Sequence, residues 1–439
     1  MNESMTKEPL WRAIASRRML VCLATGFYSG LPFYLLIQFI PLWLRRNDID
    51  LATIGLFSLI QLPYTWKFLW APVTDGPMRK GLGRRRRWLL PLQTGLAFFI
   101  LGLAWIPPTS GVVYIASIAF IVALFSATQD IVLDAYRREL LPDREIGLGS
   151  SLFVNAYRLA GLVSFSIAAV IADHYGYSVA FTFIAMVMAI GGLVTLWMPS
   201  TDIDETDDKC QPVWRWRHFV APLQELWSRS SPTQLWFLLA FIVLYKLGDN
   251  MATALATPFY VDIGYSDTEI GTIAKLSALW ASIAGGVLGG VWMLRLGIAR
   301  ALWIFGLIQM ITILGYLPLS WVGASDKIVF SPITLGQLLL FCVVSLEYLG
   351  VGLGTVALTA FMLKAASRTF SATQVALLTS LAALPRVLAT VASGFLIETT
   401  GYPVFFLLCF FLAIPGLWMV SRVRYWCEQE IKPNDTTRS

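Results

Sequence analysis

Twelve stretches of this chain are long and apolar enough to cross a lipid bilayer, and that constrains the fold before any finer reading. A spanning helix takes about 20 apolar residues. Within hydrocarbon every backbone N–H and C=O must be satisfied inside the segment, which a helix achieves. Twelve such helices use more than half of the 439 residues, so no sizeable soluble domain remains. Composition agrees, with 57% of residues hydrophobic and 14% charged, against about 25% charged in soluble domains. The expected fold is all-α and integral to the membrane. Residues 1–199 form one six-helix half, 200–232 a cytoplasmic linker with an interfacial helix, and 233–439 a second six-helix half with a short tail.

Charges are unevenly placed among the spans. The third (Trp88–Pro107), sixth (Ser178–Met198), ninth (Ala301–Val322) and twelfth (Tyr402–Val420) carry none. The second carries Lys67, the fourth Asp130, the fifth Arg158, the seventh Lys246 with Asp249, the eighth Lys275, the tenth Glu347 and the eleventh Arg386. A charge at the bilayer centre costs at least about 2.5–3.5 kcal/mol, so these groups must face protein or water. The four charge-free helices are therefore expected outermost, and the others are expected to enclose a polar cavity. That arrangement suits a transporter.

Basic links fix the orientation. Arg79, Lys80 and Arg84–Arg87 follow the second span, and Arg137, Arg138 and Arg144 follow the fourth. Arg295 and Arg300 follow the eighth, Lys364 and Arg368 the tenth. Basic loops mark the cytoplasm, which puts both termini there. Met1–Leu10 is polar and the first apolar run is long enough to span, so no cleavable signal peptide is expected. The five cysteines form no CxxC pair, and His174 and His218 are the only histidines. We expect packing thiols, no metal site and no cofactor. In Ser200–Pro232 an acidic run precedes QPVWRWRHFVAPLQELW, which reads as an interfacial helix with tryptophans at headgroup depth.

The two halves resemble each other. DLATIGLFSL (Asp50–Leu59) matches DTEIGTIAKL (Asp267–Leu276), and QDIVLDAYRREL (Gln129–Leu140) matches GTVALTAFMLKA (Gly354–Ala365). Gly176-Tyr177 matches Gly401-Tyr402. An even number of spans per half makes the copies parallel, related by a pseudo-two-fold axis along the membrane normal. This is the arrangement of major facilitator transporters, which bind substrate near midplane between halves. The loop DGPMRKGLGRRRR (Asp75–Arg87) loosely resembles that superfamily's loop signature, and Asp75 can pair with one of its bases.

The candidate chemistry is acidic and basic. Asp130 and Asp134 share a helical face, with Arg137 and Arg138 in ion-pair reach. Their counterparts in the second half are Thr355 and Thr359, so packing alone does not require acids there. Carboxylates in a low-dielectric cavity suit proton carriage, and Asp130, Asp134, Asp249 and Glu347 are the proton-coupling candidates. Arg158 and Arg386 sit at matching depth in the fifth and eleventh spans. They either bridge to buried acids or bind an anionic substrate bidentately. Lys246 with Asp249, and Lys275 with Glu347, can neutralise each other. In GFYSGLPFY (Gly26–Tyr34), Gly30-Leu31-Pro32 is expected to loosen the first span as a gate, and the tyrosines suit sugar stacking.

The chain resembles the AmpG-type muropeptide permeases of the Gram-negative inner membrane. GFYSGLP, IDLATIGLFSL, KFLWAP, GRRRRWLL, SATQDIVLDAYRRELLP and GLGSSLFVNAYRLAGLVS carry the resemblance. It implies proton-driven import of GlcNAc-1,6-anhydroMurNAc peptides for peptidoglycan recycling, and an indirect part in β-lactamase induction. It places Gln129, Asp130, Asp134 and Arg158 at family-typical positions. Many members of that family carry additional C-terminal spans, whereas this sequence shows twelve. Arg158, Arg386, Lys246 and Lys275 would answer the carboxylates of such a cargo. Gln38, Gln129, Asn155, Tyr28 and Tyr34 would answer its sugars. The alternative is a major facilitator permease for a siderophore or another anionic metabolite. Expected partners are the muropeptide, protons and the bilayer, with no nucleic acid and a monomeric state. No G-x-S-x-G, HExxH or lumenal domain supports an enzyme, and no catalytic residue is assigned.

Overall fold

The apolar stretches are helical along most of their described length in the computed structural model, which describes residues 16–47, 49, 57–75, 83–106, 111–199, 216–266, 269–325, 327–330 and 333–428. Among the described residues, nine helices are long and apolar enough to cross a membrane: Arg17–Leu44, Val112–Leu140, Ile146–Tyr175, Tyr177–Trp197, Pro232–Asp262, Ile270–Leu296, Ile298–Val322, Leu335–Ala365 and Ser393–Arg424. The second, third and eleventh spans complete the twelve. The second is broken into short turns (Phe57–Gln61, Leu62–Trp66, Lys67–Leu69, Ala71–Asp75), as Pro63 and Pro72 lack the N–H that would continue it. The third, Arg84–Leu103, opens on four arginines. The eleventh and twelfth run together in Ser371–Glu428, interrupted at Gly401 with φ 74°. Gly176 makes the same break at φ 89° between the fifth and sixth. A positive φ without strain needs glycine, which explains the paired Gly-Tyr steps. A short antiparallel pair, Ile328–Phe330 with Ile333–Thr334, precedes the tenth span.

The chain forms two compact units. The first comprises Met1–Asp143, Leu152–Gln224 and Arg368–Ser380; the second comprises Arg144–Ser151, Glu225–Ser367 and Leu381–Ser439. The stretches that open the fifth and eleventh spans thus belong by contact to the unit built from the other half of the sequence. In the first unit, Leu31, Phe39, Trp43, Leu96, Ile100, Val122, Phe181 and Ile184 form the core. In the second, Phe259, Tyr260, Tyr316, Leu340, Val344, Phe405 and Phe406 do so. The four charge-free spans each display bulky apolar side chains, such as Phe98, Ile190, Ile311 and Phe411, a surface suited to lipid.

The first span departs from expectation. Rather than loosening the helix at a gate, its glycines bring it tightly against the fifth span. A Cβ at Gly26 would lie 2.2 Å from the Phe153 carbonyl oxygen, and one at Gly30 would lie 2.5 Å from that of Tyr157. Such small-residue contacts hold membrane helices together where no hydrophobic force acts between them. The helix stays α through Tyr34 and widens into a π turn only over Leu35–Phe39.

The linker helix runs Trp216–Ser228. It buries Leu226 and exposes Val220, Leu223 and Trp227. The acidic run of the linker, Trp214 and Arg215 lie outside the described residues, as do most of Asp50–Leu59 and of the Asp75–Arg87 loop.

Candidate functional site

The first unit gathers its acids around the fourth span. Asp130 is buried and accepts a hydrogen bond from Ser29 Oγ at 2.6 Å. Lys67, from the second span, is within electrostatic reach of Asp130 and lies 3.6 Å from Asp134. Arg137 is ion-paired with Asp134, and its guanidinium stacks on Phe153 at 3.4 Å from the ring centroid. Tyr64, also from the second span, buries its hydroxyl near Asp130 and Ser126. The sequence singled out the two aspartates; Ser29, Tyr64 and Lys67 join them only in the fold.

Gln129 has a different task from the one expected. It is fully buried, and its Nε2 donates to the Tyr28 carbonyl at 2.7 Å. Pro32 cannot donate to that carbonyl, as an ordinary residue four places on would. Gln129 therefore satisfies a carbonyl that proline leaves open. Tyr28 is half-buried, and its ring packs on Gly191 in the sixth span.

At the end of the second span Asp75 does pair with a base of its loop. Arg85 is buried and donates to Asp75 Oδ1 at 2.9 Å, Glu139 Oε1 at 2.6 Å, the Thr74 carbonyl at 2.8 Å and Ser371 Oγ at 2.9 Å. Arg84 adds a second bond to Glu139 at 2.9 Å. Asp75 in turn accepts from the backbone N–H groups of Ala372 and Thr373 at 3.2 and 2.8 Å, and so caps the helix that begins at Ser371. All of these residues belong to the first unit.

The second unit holds a smaller cluster. Lys246 Nζ pairs with Asp249 at 2.5 Å, one helical turn away, and donates to Gln309 Oε1 at 3.0 Å. Gln309 Nε2 returns to Asp249 Oδ1 at 3.2 Å. Gln309 comes from the charge-free ninth span. Lys246 is therefore engaged within the protein rather than offered to a ligand. Glu347 is fully buried, and neither of its oxygens has a hydrogen-bond partner among the described residues. The nearby Thr312 hydroxyl donates to the Gln309 carbonyl at 3.0 Å. The anticipated Lys275–Glu347 pair does not form. Lys275 is exposed, just after the π turn Ile270–Ala274, and donates to Thr257 Oγ1 at 3.0 Å.

The remaining candidates differ in exposure. Arg158 is half-buried beside Tyr34. Tyr34 lies against Gly161 and packs with Phe33 and Tyr157 at ring distances of 5.7 and 5.6 Å. A π turn, Leu162–Ile167, starts immediately after Gly161. π turns often mark functional positions in helices. Arg386 is exposed and acts electrostatically on the Tyr348 phenol. Gln38 is exposed and Asn155 buried. No group of three or more metal-ligating side chains occurs among the described residues.

Residues 22–366 match the model of the Major Facilitator Superfamily. An uncharacterized protein of Haemophilus influenzae is 42% identical over 97% of this chain and 98% of its own length. The anhydromuropeptide permease of Escherichia coli is 36% identical over 95% of this chain and 82% of its own. A putative transporter AmpG 1 of Rickettsia bellii is 27% identical over 94% of this chain and all of its own. Among solved structures, the human organic anion transporter MFSD10 (TETRAN) superposes with a TM-score of 0.67 at 16% identity, covering 94% of this chain and 100% of its own, a likeness of fold. A match over most of the chain, twelve helical spans and buried charges held inside them agree: the chain is a multi-pass membrane transporter of the major facilitator superfamily and belongs to its AmpG family of permeases.

Proposed function

We propose that this chain imports anhydromuropeptides, GlcNAc-1,6-anhydroMurNAc peptides, across the bacterial inner membrane for peptidoglycan recycling. Import is coupled to protons and proceeds by alternating access, with both chain termini in the cytoplasm. The observation that carries this reading is 36% identity along 95% of the chain to the Escherichia coli protein named anhydromuropeptide permease. The chemistry of the residues supports it. A muropeptide combines carboxylates with a pair of pyranose rings. Arg158, half-buried, and Arg386, exposed, lie within spanning helices, and Tyr34 offers an aromatic face beside Arg158. Buried carboxylates, Asp130, Asp134, Asp249 and Glu347, are the candidates for carrying the coupled proton.

The test is uptake of labelled anhydromuropeptide into inner-membrane vesicles with an imposed proton gradient, with a ferric siderophore as the competing cargo. Accumulation of the muropeptide, abolished by a protonophore, is the expected result. Accumulation of the siderophore alone would overturn the reading.

Arginine substitutions test the cargo contacts. Arg158→Lys and Arg386→Lys keep the charge but lose the planar fork. Losing one charge-assisted hydrogen bond is worth about 1.5–3 kcal/mol, roughly a 10- to 150-fold weaker affinity. Expression near wild type with that loss of affinity is expected for both. Normal affinity in a well-expressed variant excludes direct contact at that position.

A further inference from the structure

Buried charge is balanced differently in the two units. In the first, Asp130 and Asp134 lie with Lys67 and Arg137, while Asp75 and Glu139 lie with Arg84 and Arg85. Each acid there is matched by a base. In the second, Asp249 and Glu347 are set against Lys246, which Asp249 and Gln309 already hold, while the other buried lysine, Lys364, lies toward the far end of the tenth span, roughly 25 Å along the helix from Glu347. Among the described residues, other elements offer Glu347 no second cation. Tyr260 and Tyr316, from the seventh and ninth spans, and its neighbour Tyr348 are neutral phenols, and Cys409 of the twelfth is a thiol. From the eighth, Lys275 is exposed and bonded to Thr257. From the eleventh, Arg386 is exposed and acts on Tyr348.

An ionised carboxylate buried without a counter-ion or hydrogen bonds is too costly to keep. We infer that Lys246, Asp249 and Glu347 together hold one exchangeable proton, resident on Glu347 in this arrangement, and that this is the proton that drives import. The coupling site then lies in the second unit rather than at Asp130 or Asp134, where the comparison of the two halves pointed. When the proton leaves, Lys246 must be shared between both acids. Gln309 positions it, and Gly354 leaves the room: a Cβ there would lie 2.0 Å from Gln309 Oε1 and 3.7 Å from Lys246 Nζ.

The inference rests on the reading of the chain as a proton-coupled importer, so its first test needs no cargo. The purified full-length protein in lipid vesicles is treated with dicyclohexylcarbodiimide, which adds to protonated carboxyl groups in apolar surroundings, and the labelled residue is located by mass spectrometry. Labelling of Glu347 that declines as pH rises, with Asp130 and Asp134 unmodified, is expected. Label on Asp130 or Asp134 instead, or on none of the three, overturns the proposal. The second test is transport with the membrane potential clamped. One proton per cargo sustains about tenfold accumulation per unit of pH difference, since one unit is about 1.4 kcal/mol. Glu347→Gln is expected to equilibrate cargo without accumulating it. If that variant fails to reach the membrane, Asp249→Asn, which leaves one acid for one base, carries the same expectation. Wild-type accumulation in either variant refutes the site. Labelled Glu347 in a protein that takes up no muropeptide would sink the cargo assignment while leaving the proton site standing.

Discussion

Arg85→Gln is expected to remove most of the folded protein from the membrane. Arg85 is buried against Asp75, Glu139, Thr74 and Ser371. Breaking a buried pair from one side leaves an uncompensated charge and costs about 3–5 kcal/mol. That is a large part of the ~5–15 kcal/mol by which proteins are stable. Not all of the cluster is stranded. Asp75 keeps the N–H groups of Ala372 and Thr373, and Glu139 keeps Arg84 and the Ser371 hydroxyl. The loss should therefore fall at the lower end, about 3 kcal/mol. Two further variants separate charge from shape. Arg85→Lys supplies a point charge that cannot reach four acceptors at once and should be intermediate. Arg85→Gln combined with Glu139→Gln removes one acid together with the base, leaves Asp75 and Arg84 as one acid and one base, and should recover part of the yield. The measurement is the detergent-solubilised monodisperse fraction and its melting temperature for all three. Wild-type melting of Arg85→Gln would show that the cluster does not stabilise the fold.

The cluster was partly legible in advance. An aspartate at the end of the second span followed by a basic run announces a pairing, but which of six bases Asp75 takes is decided by Glu139 and Ser371, far away in the chain. The same division holds elsewhere. Asp130, Asp134, Lys246 and Asp249 stand out because charge inside an apolar run is costly enough to need a reason. The Lys246–Asp249 pair follows from their i, i+3 spacing alone. Gln309 is hidden from a charge pattern, because a span free of charge reads as lipid-facing. A helix has two sides, and an amide on the inner one leaves no trace in a charge pattern. Lys275 and Glu347 were paired on charge, but distances across helices are not written in sequence. Gln129 was read as a sugar ligand although Pro32 already announced an unsatisfied carbonyl at Tyr28; its donor is 101 residues away. Nor could the sequence reveal that Arg144–Ser151 and Arg368–Ser380 belong by contact to opposite units, since neither has a compositional boundary.

Two alanine substitutions should part company, although each adds only a methyl group. Gly26→Ala is expected to fail in assembly. Its Cβ would lie 2.2 Å from the Phe153 carbonyl oxygen, with the Phe153 carbonyl carbon and Cα at 2.8 Å. These are backbone atoms of the fifth span, so only a separation of the two helices relieves the overlap. Overpacking costs about 1–3 kcal/mol in cores that can adjust. Here the cost should reach or exceed the top of that range, because Gly30 holds the same helix pair one turn on, 2.5 Å from the Tyr157 carbonyl. Separation also forfeits the close packing that holds membrane helices together. Gly354→Ala meets a side chain instead: the amide of Gln309, which can swing away. The fold should survive, but the swing takes Gln309 from Lys246 and Asp249, which it holds at 3.0 and 3.2 Å. Near-normal melting with a large loss of gradient-driven accumulation is the expected signature. Gly26→Ala should instead lose melting temperature and uptake together. Melting and uptake measured side by side on both variants decide the matter. Equal behaviour of the two would mean that Gly354 is one more close-packing glycine, and that the room it leaves beside Gln309 has no bearing on transport.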